Sequence, residues 1–136
     1  VPLTDSCHQG VAQLLDFARA STLSDVLETL KKNIPVVMSA SLTTNFYLNE
    51  GLVTLEESLK KGTPNDQHAQ GHAFLAIGVM ELPEKIHAKE GNFCIVIANS
   101  WGKGWGAGGY ACLTEKWLTA HRSDNTFVGP TKVAFK

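Results

Sequence analysis

The sequence predicts an α+β domain in which one amphipathic helix precedes an antiparallel, barrel-like set of strands. Three observations carry this. Apolar residues recur at helical spacing between 23 and 34, strand-sized apolar runs follow from 35 onward, and turn-forming residues separate the runs. The chain has 136 residues, with 43% hydrophobic and 18% charged residues. That is ordinary for a folded domain, long enough for one core and short for two. A single domain over residues 1–136 is therefore expected, with 1–20 left open.

The first element is ambiguous. Val11, Leu14, Leu15 and Ala18 fit a helix, whereas Gln13-Leu14-Leu15-Asp16-Phe17-Ala18 would also serve as a strand. The next is clear. Leu23, Val26, Leu27, Leu30 and Ile34 fall on one helical face. Thr22 with Asp25 makes a capping box, Lys31 and Lys32 suit the helix C-terminus, and Pro35 stops it. Residues 35–40 read as a strand. Residues 45–70 read mostly as loop, with a short helix over 55–59 and turn chemistry at Gly62-Thr63-Pro64-Asn65-Asp66. Strands are expected over 72–80, 92–99 and 111–113, with a polar surface connector between the first two. A short helix over 115–120 and an extended tail over 126–135 complete the chain.

Several functions are excluded early. A net charge of −1 argues against nucleic acid as a partner. No apolar run approaches the roughly 18–20 residues of a membrane span, so no membrane partner is expected. Three cysteines, Cys7, Cys94 and Cys112, allow at most one internal disulfide, without saying which. Val1-Pro2-Leu3 is neither a start methionine nor a signal peptide, and reads as the start of a processed product or of a piece of something longer.

Two motifs invite cofactors and fail on context. Gly104-Trp105-Gly106-Ala107-Gly108-Gly109 matches G-x-G-x-x-G, with Asp124 downstream. A dinucleotide site needs a strand turning straight into a helix, whereas Tyr110-Ala111-Cys112-Leu113 is short and strand-like. His68 and His72 are four apart as in zinc helices, but Ala69 replaces the required Glu and no third ligand is placed. No metal and no cofactor are expected.

His72 opening one strand and Asn99 closing another would be unremarkable singly. Gly71-His72-Ala73-Phe74-Leu75-Ala76 followed by Asn99-Ser100-Trp101-Gly102-Lys103-Gly104-Trp105-Gly106-Ala107-Gly108-Gly109-Tyr110 resembles the papain-like cysteine peptidases. In that family the triad is Cys-His-Asn, with His and Asn far downstream of Cys. The helix and Asn33-Ile34-Pro35-Val36-Val37-Met38 extend the resemblance, which covers roughly residues 22–114. It implies the family's C-terminal, β-barrel half-domain, and a compartment that is secreted, vacuolar or lysosomal.

The resemblance also implies roles. His72 would be the base and acid partner of a nucleophilic cysteine, and Asn99 the group that orients its ring. Trp101 would shield their hydrogen bond from water. Val36 and Ala73 would line a substrate side-chain pocket, and Trp105 would be the aromatic on the leaving-group side. Two features depart from the family: Gly71 stands where Asp or Asn is frequent, and the connector from Glu81 to Gly91 is long. The family's nucleophile pattern, Q-G-x-C-G-S-C-W, does not occur in residues 1–136. Cys7 is the only cysteine ahead of His72, and Ser6-Cys7-His8-Gln9-Gly10 does not match its pattern. The expectation is a half-enzyme acting on peptide or protein substrates, inactive alone, whose cysteine comes from an N-terminal half-domain or a separate chain. The competing expectation is a non-catalytic module that keeps the barrel and binds a protein or peptide.

Overall fold

A computed structural model describes residues 10, 12–61, 71–123 and 127–135. Its strands are β1 (Ala12–Ala20), β2 (Val36–Ser41), β3 (Leu52–Val53), β4 (Gly71–Glu81), β5 (Phe93–Ala98), β6 (Tyr110–Thr114) and β7 (Phe127–Phe135). They form one sheet in the order β1-β7-β2-β4-β5-β6-β3. The helices are α1 (Leu23–Lys31), α2 (Thr44–Tyr47), α3 (Leu55–Lys61), α4 (His87–Glu90) and α5 (Glu115–His121).

The α+β class holds, with two refinements. Among the described residues the sheet does not close, and the pairing of β3 with β6 is parallel. Closure fails because the edges cannot meet: β3 has two residues, and β1 pairs only with β7, which touches β2 at the single register pair Val37 and Val128. The ambiguous first segment is a strand. Its pairing with β7 along nearly its whole length overrides the helical spacing, and Leu14, Leu15 and Phe17 stay exposed.

Helix α1 follows the sequence closely. The Thr22 hydroxyl accepts the Asp25 N–H at 3.1 Å, and the Asp25 carboxylate accepts the Thr22 N–H at 3.2 Å. The helix ends at Lys31, ahead of Pro35, and Asn33 takes a left-handed φ of 60°. Val26 and Leu30 are buried in the core. On β2 burial alternates, so Val36, Met38 and Ala40 face inward and Val37 faces out. Phe46, Ile95, Ile97, Leu113 and Trp117 complete the inner layer.

Residues 45–53 are more ordered than a loop, containing α2 and β3. The connector also departs from expectation. Residues 84–86 form a 3-10 turn that leads into α4, and Glu90 is buried at 2% exposure. Its carboxylate accepts the backbone N–H groups of Leu55 at 2.8 Å and Glu56 at 2.9 Å, and the Thr114 hydroxyl at 2.7 Å. A carboxylate is thus supplied from a distant segment to the N-terminus of α3, where backbone donors lack helical partners. What reads as a surface insertion is a plug between α3 and β6.

Cys94 and Cys112 are buried and are joined as a disulfide with Cα atoms 5.4 Å apart. The bond ties β5 to β6 beneath Leu82 and Ile86. Cys7, His68, the turn over 62–66 and Asp124 lie outside the described residues.

Candidate active site

Antiparallel pairing explains how residues 72 and 99 meet. Register pairs from Leu75 with Ala98 to Glu81 with Phe93 set the entry of β4 beside the exit of β5. His72 is the second residue of β4, and Asn99 follows the last residue of β5. The His72 Nε2 lies 2.8 Å from the Asn99 Oδ1. The Ser100 backbone N–H also donates to that Oδ1, at 2.8 Å, which identifies it as the amide oxygen. An oxygen acceptor requires the proton on Nε2, so Nδ1 is the basic nitrogen of the neutral ring. The Asn99 Nδ2 is buried with no hydrogen-bond partner among the described residues.

Aromatic rings enclose this pair. Trp101 lies over His72 with centroids 4.6 Å apart and planes 31° apart. A face of this kind covers one side of the His72 ring and can attract an imidazolium. Beneath both sits Phe46, fully buried, 6.1 Å from the His72 ring and 5.7 Å from Trp101 in an edge-to-face contact. Phe46 also meets Phe74, Trp105 and Trp117. Its backbone carbonyl accepts the Trp105 indole N–H at 2.8 Å.

A buried polar chain fixes the helix that carries Phe46. The Trp117 indole donates to the Thr43 hydroxyl at 3.0 Å, that hydroxyl donates to the Asn45 Oδ1 at 2.6 Å, and the Asn45 amide donates to the Thr54 carbonyl at 2.9 Å. Every link in that chain is made, so it rigidifies instead of weakening the core.

The Trp/Gly loop returns β5 directly into β6 and leads to no helix, which removes the dinucleotide reading. Gly106 is the position where glycine is required. Its φ is +58°, and a Cβ there would run into the Tyr110 carbonyl oxygen. The loop closes with the Gly109 carbonyl accepting the Asn99 N–H at 3.0 Å, which steadies the asparagine's own backbone.

The implied substrate residues separate. Ala73 is exposed and lines a groove of about 340 Å³ with Val37, Leu75, Ala98, Asn99 and Ser100. Val36 is wholly buried and points the other way, because successive strand residues alternate faces; its neighbour Val37 takes the groove position. Trp105 is 7% exposed and belongs to the core under Trp101. The aromatic ring open to solvent against His72 is that of Trp101, and the exposed Tyr47 stacks on it. Sequence reasoning missed Phe46, Tyr47 and Val37; only the period-two alternation could have singled out Val37. Among the described residues no three His, Cys, Asp or Glu side chains converge as metal ligands.

Comparison with known proteins gives the chain a family and a fold. A family model described as papain family cysteine protease matches residues 5–126. An uncharacterized peptidase C1-like protein of Acanthamoeba polyphaga mimivirus is 25% identical over 112 residues, which cover 76% of this chain and 31% of that protein. A structure from a study of the mite allergens Blo t 1 and Der p 1 superposes with a TM-score of 0.55 at 25% identity, over 85% of this chain and 34% of the other. Xylellain, a cysteine protease from Xylella fastidiosa, gives a TM-score of 0.57 at 21% identity, over 88% and 41%. The digestive procathepsin L 3 of Tenebrio molitor larval midgut gives 0.63 at 18% identity, over 92% and 38%. At those last two identities the likeness is of fold. The chain spans about a third of the length of the curated relative.

Proposed function

The chain belongs to the papain family of cysteine proteases, and from that premise we propose that it forms the C-terminal, β-rich half of a peptidase, organised as one domain. Its part is to present His72 and Asn99 to a cysteine carried by an N-terminal half-domain or a separate chain. The observation that carries this reading is the 2.8 Å bond between the His72 Nε2 and the Asn99 Oδ1 beneath Trp101.

The chemistry follows from the tautomer. With Nε2–H committed to Asn99, Nδ1 is the atom that takes the thiol proton, and the resulting imidazolium stabilises the thiolate. The thiolate attacks the scissile carbonyl carbon, and His72 passes its proton to the departing amine as the thioester forms. Water, deprotonated by His72, then attacks the thioester and releases the acid. Most of the oxyanion hole would come from the nucleophile's own segment. Ala73 and the groove beside it would take a substrate side chain, with Val37 in place of Val36. Trp105 would support the site from within the core.

The outer face of β2 and β4 supports a missing counterpart. Val37 and Leu75 pair across the strands as exposed hydrophobics, and Ile77 is exposed at the bulge that follows; past the bulge Val79 pairs with the buried Ile95 and lies on the other face. A contiguous apolar face adjoining a polar site marks a surface that another protein segment covers. Isolated from that segment, the chain would not turn over substrate.

A thiol-directed peptidyl epoxide tests where the nucleophile lies. Applied to the complete protein or its assembly, it should label one cysteine outside residues 1–136, at the start of a helix. Label on Cys7, or on no cysteine, contradicts the assignment; the second result leaves the peptide-binding module as the function.

A further inference from the structure

We propose that the cavity between the C-terminal end of α1 and the adjoining ends of β4 and β5 binds a free α-amino acid with a large apolar side chain. Beyond the irregularity between Ala76 and Gly78, Val79 pairs with the buried Ile95, and Glu81 pairs with Phe93. These side chains therefore share the face of the sheet on which α1 packs. Val79, Phe93 and the half-buried Leu27 give an apolar floor to a cavity of about 360 Å³. Lys31 and Glu81 line the same cavity. Among the described residues neither has an ion-pair partner, so two opposite charges share one cavity without neutralising each other.

That arrangement fits a ligand carrying both charges on one short body. The ligand's carboxylate meets the Lys31 ammonium, its ammonium meets the Glu81 carboxylate, and its side chain lies on Leu27, Val79 and Phe93. Such pairs count for more against an apolar wall, where water competes less. His87 adds an acceptor. Its Nε2 is 2.7 Å from the Leu82 carbonyl, which accepts the Nε2 proton and leaves Nδ1 of the neutral ring unprotonated. The size agrees, since cavities that take small molecules start at about 300 Å³. The wall is also ordered before binding. The Leu82 N–H donates to the Asn92 carbonyl at 2.9 Å, and the disulfide pins β5 to β6 behind it. Glu81 ends the strand that His72 enters, so the cavity lies roughly 30 Å along β4 from that ring.

Isothermal titration calorimetry of the complete protein with leucine tests this, and needs no turnover. Leucine should bind saturably. Leucinamide, which lacks the carboxylate, and N-acetylleucine, which lacks the ammonium, should each bind at least about tenfold more weakly. Glycine, which lacks the side chain, should fall by a similar factor. Two variants assign the charges. In Lys31→Gln, leucine and leucinamide should bind alike; in Glu81→Gln, leucine and N-acetylleucine should bind alike. Both residues are exposed, so both variants should keep the fold, which circular dichroism checks. Glycylleucine moves the ammonium one residue away from the carboxylate. Tighter binding of that dipeptide than of leucine would give the cavity to peptide ends and overturn the proposal. So would the absence of leucine binding at about 10 mM, or leucine binding that both variants leave unchanged.

Discussion

Phe46 does more for the site than its distance from the chemistry implies. It touches His72, Trp101, Trp105 and Trp117 at once, and its carbonyl anchors the Trp105 indole. Phe46→Ala is therefore expected to cost about 3–5 kcal/mol of stability, the range for losing a large buried aromatic. A shift of the urea midpoint measures it, and a variant as stable as the parent would remove Phe46 from its central place. At this scale the sequence was legible where the signal is local wording. His72 and Asn99 stand inside a long motif whose glycines and tryptophans are adjacent in the chain. Phe46 stands in no motif, since its importance arises from contacts with residues 26 to 71 positions away, which no local pattern records. Val36 shows the opposite case: the resemblance pointed to a residue of β2, and alternation buries it and puts the neighbouring Val37 in the groove.

Elements were read best where one face and both ends are coded nearby. Helix α1 has its apolar stripe, its capping box and its C-terminal lysines within a dozen residues, and all three hold in the structure. The connector before β5 was misread because its ordering residue works at long range. Glu90 meets donors from residues 55, 56 and 114, and nothing in the wording of 81–91 announces them. Glu90→Gln replaces one acceptor oxygen by an amide nitrogen and leaves a buried donor unpaired. The expected loss is about 1–3 kcal/mol. Hydrogen exchange should show it first at the Leu55 and Glu56 amides; unchanged protection there would mean that α3 does not depend on this cap. The ambiguity of β1 has a similar source, since only its partner β7, more than a hundred residues later, decides between helix and strand.

For the molecule as a whole, acid should weaken the fold through His121. Burial disfavours its charged form and lowers its pKa from the ordinary 6.5. The unfolded chain therefore takes up this proton at higher pH than the folded one. The contribution of neutral His121 is complete above 6.5 and declines as pH falls through that value towards the lower folded pKa. Its ring packs 5.1 Å from Trp117. His121→Phe keeps that packing without a titrating group, so melting temperatures measured between pH 7 and 5 should fall less steeply than in the parent. An identical slope would place the acid sensitivity elsewhere.

We propose at this scale too that the chain contributes a base and its orienter to a thiol supplied by another segment. The direct measurement is the rate of thiol alkylation and peptide hydrolysis at neutral pH in the assembled protein, with and without His72→Ala. Both rates should fall together by about 10²–10⁴-fold, the usual contribution of a general base, with an unchanged circular dichroism spectrum. Rates that stay the same in a folded variant would contradict the assignment of His72, and with it the role given to this chain.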